Sequence, residues 1–198
     1  MALDGIFLNH IKNEIAPCII GSRVEKIHQP SREELVIHLR SRSGSYKLFL
    51  SVRVNSPRVH FTQNPPENPA TPPMFCMLMR KKLTNGLVTG VRQMGLDRVL
   101  YIDFEASNDI GDRVPVTLSI EIMAKHSNII LIDENNRIVD AMKRIDLSRS
   151  TVRQILPGFP YTPPPAQDKP DLTDVSVDSI IEKIEEMENK TLSSAILN

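Results

Sequence analysis

Over residues 116–123 apolar side chains fall on every second position. Val116, Leu118, Ile120 and Ile122 alternate with Thr117, Ser119, Glu121 and Met123. A period of two predicts a strand with one face on a core, and it sends Glu121 to the opposite face. Residues 124–128, rich in hydrogen-bonding groups, separate this strand from a second apolar run at 129–132. Polar groups wedged between two strands predict a corner held by a rigid sheet and suited to binding. An ordinary solvated hairpin turn has the same pattern.

The same reading extends along the chain. Asp4 is placed to cap a helix over residues 5–16, with Phe7, Leu8, Ile11 and Ile15 as its apolar stripe and Pro17 closing it. Strands are predicted at 20–28, at 35–39, at 46–52 after a Ser43-Gly44 turn, and at 58–62. Residues 64–73 are proline-dense and predict an extended loop. The loop leads into a second helix capped by Thr71. Its residues 74–79 are apolar all round, which predicts burial on every face. Arg80, Lys81 and Lys82 suit its C-terminal end, and Asn85-Gly86 terminates it. Further strands are expected at 87–94, 98–106, 115–123, 128–133 and, after the turn at 134–136, at 137–143. Short strands with frequent turns predict an α+β fold, a mainly antiparallel sandwich or barrel with two packed helices.

Pro157-Gly158 and Pro163-Pro164-Pro165 read as linker. The expected division is a domain over 1–165, a linker over 166–175 and a helical segment over 176–198. In that segment Val177, Ile180, Ile181 and Ile184 lie at helical spacing.

Composition narrows the function classes. The 198 residues hold 24 basic and 24 acidic side chains and no tryptophan. Residues 161–198 carry three basic and eight acidic side chains, which leaves 21 basic against 16 acidic before them. A mildly basic body permits nucleic-acid binding without demanding it. Cys18 and Cys76 lack metal-ligand spacing and are expected as reduced, buried thiols. The five histidines form no paired-ligand motif, and no glycine-rich phosphate loop occurs. No apolar signal core and no apolar run of about 20 residues is present, so a cytoplasmic protein is expected, with no membrane insertion.

Four separated stretches carry a resemblance. Asp4-Gly5, the run Thr71-Pro72-Pro73-Met74-Phe75-Cys76-Met77-Leu78, the turn Gly95-Leu96-Asp97-Arg98, and the run from Glu121-Ile122-Met123 through Ala124-Lys125-His126 to Ile130 resemble the NFACT-N domain. That domain opens the bacterial RqcH proteins, also labelled fibronectin-binding protein A, and their eukaryotic relative, nuclear export mediator factor. Ala124 departs from the family pattern, where glycine is expected. The resemblance implies a fold similar to the N-terminal β-sandwich domain of formamidopyrimidine-DNA glycosylases. It also implies that residues 176–198 begin a helix-hairpin-helix module that the chain leaves unfinished. Glycosylases attack through an N-terminal proline amine beside a glutamate. Ala2 and Leu3 stand there instead, so no enzyme activity is expected, and fold alone does not carry function.

The resemblance also names a site. Asp97-Arg98, with Asp4, is implied to engage transfer RNA. An arginine forks onto phosphate or a base edge, and an aspartate accepts from a base amino group or holds the arginine. Read without the family, the pair is an Asx-type turn with a solvated arginine. Glu121, Ile122, Met123, Lys125 and His126 form the second set. Splayed bases are read by edge hydrogen bonds and stacking, and lysine neutralises phosphate. His126, Ser127 and Asn128 have the alternative role of fixing the corner.

The implied function is that of a ribosome quality control factor. Such a factor binds a large ribosomal subunit obstructed by peptidyl-transfer RNA and recruits alanyl-transfer RNA for template-free alanine tailing. No cofactor and no metal are implied. The alternative is an adhesin for fibronectin or fibrinogen, displayed on the cell surface without a signal peptide. DNA binding ranks below both, because no basic recognition helix is visible.

Overall fold

The computed structural model describes residues 3–42, 44–148, 150, 152–165, 176 and 181. The chain divides into two units, Met1–Pro164 and Pro165–Asn198. The expected linker, almost all of the helical segment, and Ser43 of the expected 43–44 turn lie outside the described residues.

Helix α1 spans Gly5–Ile19 and starts where the sequence puts it, with Asp4 Oδ1 accepting from the Phe7 amide at 2.8 Å. Pro17 does not close it. A proline removes only its own amide bond, and the Ile20 amide still reaches Ala16 O at 3.0 Å. The extra turn buries Ile19 beside Leu8 and Ile15, whereas Phe7 is exposed and leaves the expected stripe.

Helix α2 spans Met74–Leu83. Its N-cap is Pro73 and no side chain caps it, so Thr71 does not have the expected role. It is not buried all round either. Phe75, Cys76, Met79 and Leu83 face the core, while Met74 and Met77 face solvent. Composition gave the helix six apolar positions, but only one side of it meets the sheet. Cys76 is buried, Cys18 is half-buried, and both are free thiols. No helix among the described residues is long and apolar enough to cross a membrane.

Among the described residues nine strands follow the predicted pattern: β1 (Arg23–Ser31), β2 (Glu34–Arg40), β3 (Ser45–Ser51), β4 (Arg58–Phe61), β5 (Leu87–Gln93), β6 (Val99–Ser107), β7 (Arg113–Glu121), β8 (Asn128–Ile132) and β9 (Ile138–Ala141). They form one antiparallel sheet in the order β4-β3-β2-β1-β5-β6-β7-β8-β9. The join between β1 and β5 is narrow, with one registered pair, Arg23 with Leu87. The sheet folds there, and the inner faces of both halves share one core. Val24, Ile27, Leu35, Ile37, Leu48 and Leu50 come from one half, and Leu100, Ile102, Leu118, Ile120 and Leu131 from the other. Helix α1 packs on β4, β5 and β6, and α2 on β1, β6 and β9. Lys143, just past β9, donates to Val52 O at 2.7 Å and pairs with Glu33 at 2.8 Å, tying one end of the folded sheet to the other half.

Residues 145–148 and 152–161 continue the domain, so Pro157-Gly158 is a turn within it and not a linker. Ile145 and Ile155 pair, the Ile138 amide donates to Phe159 O, and the Tyr161 amide donates to Asn136 O. This strap lies on the outer face of β6–β9. There Val99, Tyr101, Ile130, Ile132, Ile138, Ala141, Ile155 and Tyr161 form a second, smaller cluster.

Candidate nucleic-acid interface

Three segments far apart in sequence meet at one corner. The first is the start of α1. A Cβ on Gly5 would lie 1.6 Å from the Leu96 carbonyl oxygen, so only glycine lets the helix approach the 95–98 turn this closely. Gln93 Nε2 fastens the two, donating to Gly5 O at 2.9 Å and to Asp97 O at 2.7 Å.

The second is the turn between β5 and β6. Gly95 takes φ 50°, and the Asp97 amide closes the turn on Met94 O at 3.0 Å. Asp97 Oδ1 accepts from the Arg98 amide at 2.6 Å, one residue on and not the two of the Asx-type turn that the sequence suggested.

The third is the β7–β8 corner. Val99 pairs with Glu121, and the Ile122 amide donates to Arg98 O at 2.9 Å, so the two turns sit side by side. A 3-10 turn over Ala124–His126 follows, with Ala124 at φ 47°. Positive φ is where glycine would be expected, so the departure at Ala124 falls on a strained backbone position. Buried Ser127 and Asn128 hold the corner from beneath. Ser127 Oγ accepts from the Met123 amide at 2.8 Å. Asn128 Oδ1 accepts from the Ile129 and Lys143 amides, and Nδ2 donates to Lys143 O at 2.7 Å. Of the residues with an alternative corner-fixing role, Ser127 and Asn128 take it, and His126 stays exposed.

Asp4, Lys125 and His126 are exposed, and Asp97, Arg98 and Met123 are half-buried. Two expected contact residues are not on the surface. Ile122 is 1% exposed and belongs to the main core. Glu121 is also 1% exposed. It does point away from the main core, but the strap covers it. Its oxygens take both Arg153 amino groups, at 2.8 and 2.7 Å, and the Tyr161 hydroxyl at 3.2 Å. A carboxylate held this way offers no free acceptor to a base, so its place is in the scaffold under the corner.

The Glu121 network extends along the outer face. Tyr161 Oη lies 2.8 Å from Ser119 Oγ and 3.2 Å from Tyr101 Oη. Burial pushes the Tyr161 phenol far up, and the Glu121 charge adds to it, so the hydroxyl stays protonated. Burial alone would lower the Arg153 guanidinium; its hydrogen bonds to Glu121 outweigh that and hold it raised. Arg92 covers the Tyr101 ring at 4.4 Å and forks onto Asp103 at 2.7 and 3.1 Å. Gln93, Arg153 and Tyr161 were missed by sequence reasoning. Their partners lie up to 88 residues away, and nothing local marks them. No group of three or more His, Cys, Asp or Glu side chains among the described residues is placed to hold a metal ion.

Comparison with known proteins gives this corner a context. The family model for NFACT N-terminal and middle domains matches residues 4–198. Rqc2 homolog RqcH of Bacillus subtilis (strain 168) is 40% identical over 191 residues, 96% of this chain and 34% of that protein. The chain therefore spans about a third of the length of that relative. Two solved structures share the fold. The N-terminal domain of fibronectin-binding protein PavA from Streptococcus pneumoniae superposes with TM-score 0.85 at 36% identity, over 94% of this chain and 69% of that one. The fibrinogen binding protein from Staphylococcus aureus gives 0.87 at 31%, over 100% and 69%. With the family model matched from residue 4 to the last residue and the fold shared with these relatives, the chain belongs to the NFACT family.

Proposed function

We propose that this domain is the transfer RNA-binding part of a ribosome quality control factor, one that binds obstructed large ribosomal subunits and recruits alanyl-transfer RNA for alanine tailing. One observation carries the reading. The start of α1, the 95–98 turn and the 123–126 turn, separate in sequence, are bolted into one corner by Gln93, by the Gly5–Leu96 contact and by the Ile122–Arg98 bond. At its rim the corner presents Asp4, Asp97, Arg98, Met123, Lys125 and His126.

The corner suits an RNA loop in chemical terms. Arg98 and Lys125 supply positive charge for phosphate, Asp97 and Asp4 supply acceptors for base amino groups, and the Met123 thioether gives an apolar platform. Glu121 and Ile122 act beneath them as positioning residues. Peptidyl transfer belongs to the ribosome, and the domain contributes binding only.

Replacing Asp97 and Arg98 together with alanine is expected to abolish tailing by the full-length protein in a reconstituted assay while leaving the fold intact by circular dichroism. Undiminished tailing by a folded double variant would refute the assignment. The relatives named for fibronectin and fibrinogen support a second reading, a matrix-protein adhesin. Parallel binding assays with transfer RNA and fibronectin, alongside surface labelling of intact cells, separate the two.

A further inference from the structure

The two halves of the folded sheet differ on their outer faces. The strap seals that of β6–β9. Among the described residues no such segment covers that of β1–β4, and cross-strand register shows what it carries. Residues paired across an antiparallel ladder share a face. One row therefore runs Lys26–His38–Lys47, and the next runs His28–Val36–Phe49–His60. Arg58, paired with Ser51, continues the face, and its guanidinium lies 4.9 Å from the centre of the Phe49 ring. From α2, Arg80 donates to Ile27 O at 2.7 Å and reaches His28 Nδ1 at 3.5 Å.

Three of the five histidines thus stand on one face among lysines and arginines. Acid charge there is largely spoken for. Glu34 is 4% exposed and held by Arg53 at 3.0 Å, and Glu25 pairs with Arg40 at 3.7 Å. The apolar members, Val36 and Phe49, are 0% and 2% exposed under their neighbours.

We propose that the outer face of β1–β4 is a second RNA contact, separate from the corner, which grips phosphates through Lys26, Lys47 and Arg58, beside the half-buried His28–His38 pair, and reads no bases. The inference rests on the reading that the partner is RNA. Charge complementarity selects this occupant. The centre of a protein interface is apolar, and on this face Val36 is buried and Phe49 lies beneath Arg58. Interfaces with nucleic acid are polar and strongly positive. Neighbouring strands lie about 4.8 Å apart, so the Lys26–His38–Lys47 row spreads its charge over roughly 10 Å of sheet. Lys47 spends one donor on Gln63 O at 3.1 Å and keeps two.

The histidines give the contact a pH signature. His28 and His38 pack edge to face at 5.0 Å. Burial, then Arg80, then Lys26 lower His28. Burial, His28, Lys47 and Lys26 lower His38, with Glu25 opposing. Both are held toward the neutral form in the free protein. A phosphate nearby favours the charged form, so binding takes up protons and tightens as pH falls from 8 to 6.

The test uses the full-length protein and fluorescently labelled transfer RNA, with anisotropy read across 50–200 mM salt. For Lys26→Ala/Lys47→Ala we expect roughly tenfold weaker binding and a log K against log salt slope shallower by about 2, the same for any transfer RNA. For His28→Gln/His38→Gln we expect the tightening at pH 6 to disappear. Unchanged affinity and slope in a lysine variant with wild-type circular dichroism and melting temperature would overturn the proposal. So would loss of fibronectin binding with RNA binding intact, which would make the face a protein interface. Asp97→Ala/Arg98→Ala runs in parallel. If it binds RNA normally while the lysine variant does not, the corner reading fails and this one stands.

Discussion

Ala124 shows how one side chain can be at odds with its backbone. Three non-glycine residues among those described have positive φ: Asn85 at 65°, Asn136 at 57° and Ala124 at 47°. Asparagine tolerates the left-handed region through local hydrogen bonding, and alanine has no such means. The left-handed penalty for alanine is about 1–2 kcal/mol. Glycine relieves it but loses more chain entropy on folding, about 0.5–1 kcal/mol. Ala124→Gly should therefore raise stability by about 0.5–1 kcal/mol, seen as a higher urea midpoint with an unchanged slope. A lower midpoint would show that the turn relaxes in another way. The family resemblance marked this position from sequence. The φ value supplies the reason.

Among the elements, the β5–β6 turn and the start of α1 depend on each other. Gly5 is required by a close approach, since the 1.6 Å separation from Leu96 O leaves no room for a methyl group. Gly5→Ala should cost about 1–3 kcal/mol, as overpacking does. It should also weaken transfer RNA binding, because the turn carrying Asp97 and Arg98 must move. Chemical denaturation and anisotropy on the same sample check this, and a stable variant with full binding would separate the helix from the site. The strands were legible because each sends alternate side chains toward the main core. The predicted 58–62 and 128–133 lie within a residue of Arg58–Phe61 and Asn128–Ile132. Helix α2 was not fully legible, because six apolar residues in a row carry no information about which side meets the sheet.

Across the whole molecule the strap decides what the corner rests on. Arg153 reaches back 32 residues to Glu121, and Tyr161 reaches back 40 to the same carboxylate. With the Glu121 side chain 1% and the Arg153 side chain 12% exposed, removing either partner leaves a buried charge without its counter-ion. Glu121→Leu and Arg153→Met should each cost about 3–5 kcal/mol, and the double replacement much less than their sum. Urea unfolding of the three variants measures the coupling; additive losses would mean that the pair does not hold the strap. Sequence reasoning put Glu121 on the face away from the main core, and alternation, being local, fixes that much. That this face is covered was not legible, because the chain that covers Glu121 arrives about thirty residues later.

The sequence by itself determined the strands, the Asp4 cap, the α+β class and the likeness to the NFACT-N domain. Each of these follows from neighbouring residues, through side-chain period, capping chemistry or contiguous motifs. Only the tertiary structure decided that Gly5, Asp97, Arg98 and Lys125 meet, that Glu121 and Ile122 lie beneath the corner, and that three histidines share the open face of β1–β4. Those facts depend on where the sheet folds between β1 and β5 and where the strap returns. Long-range packing and register fix both, and no local pattern encodes them.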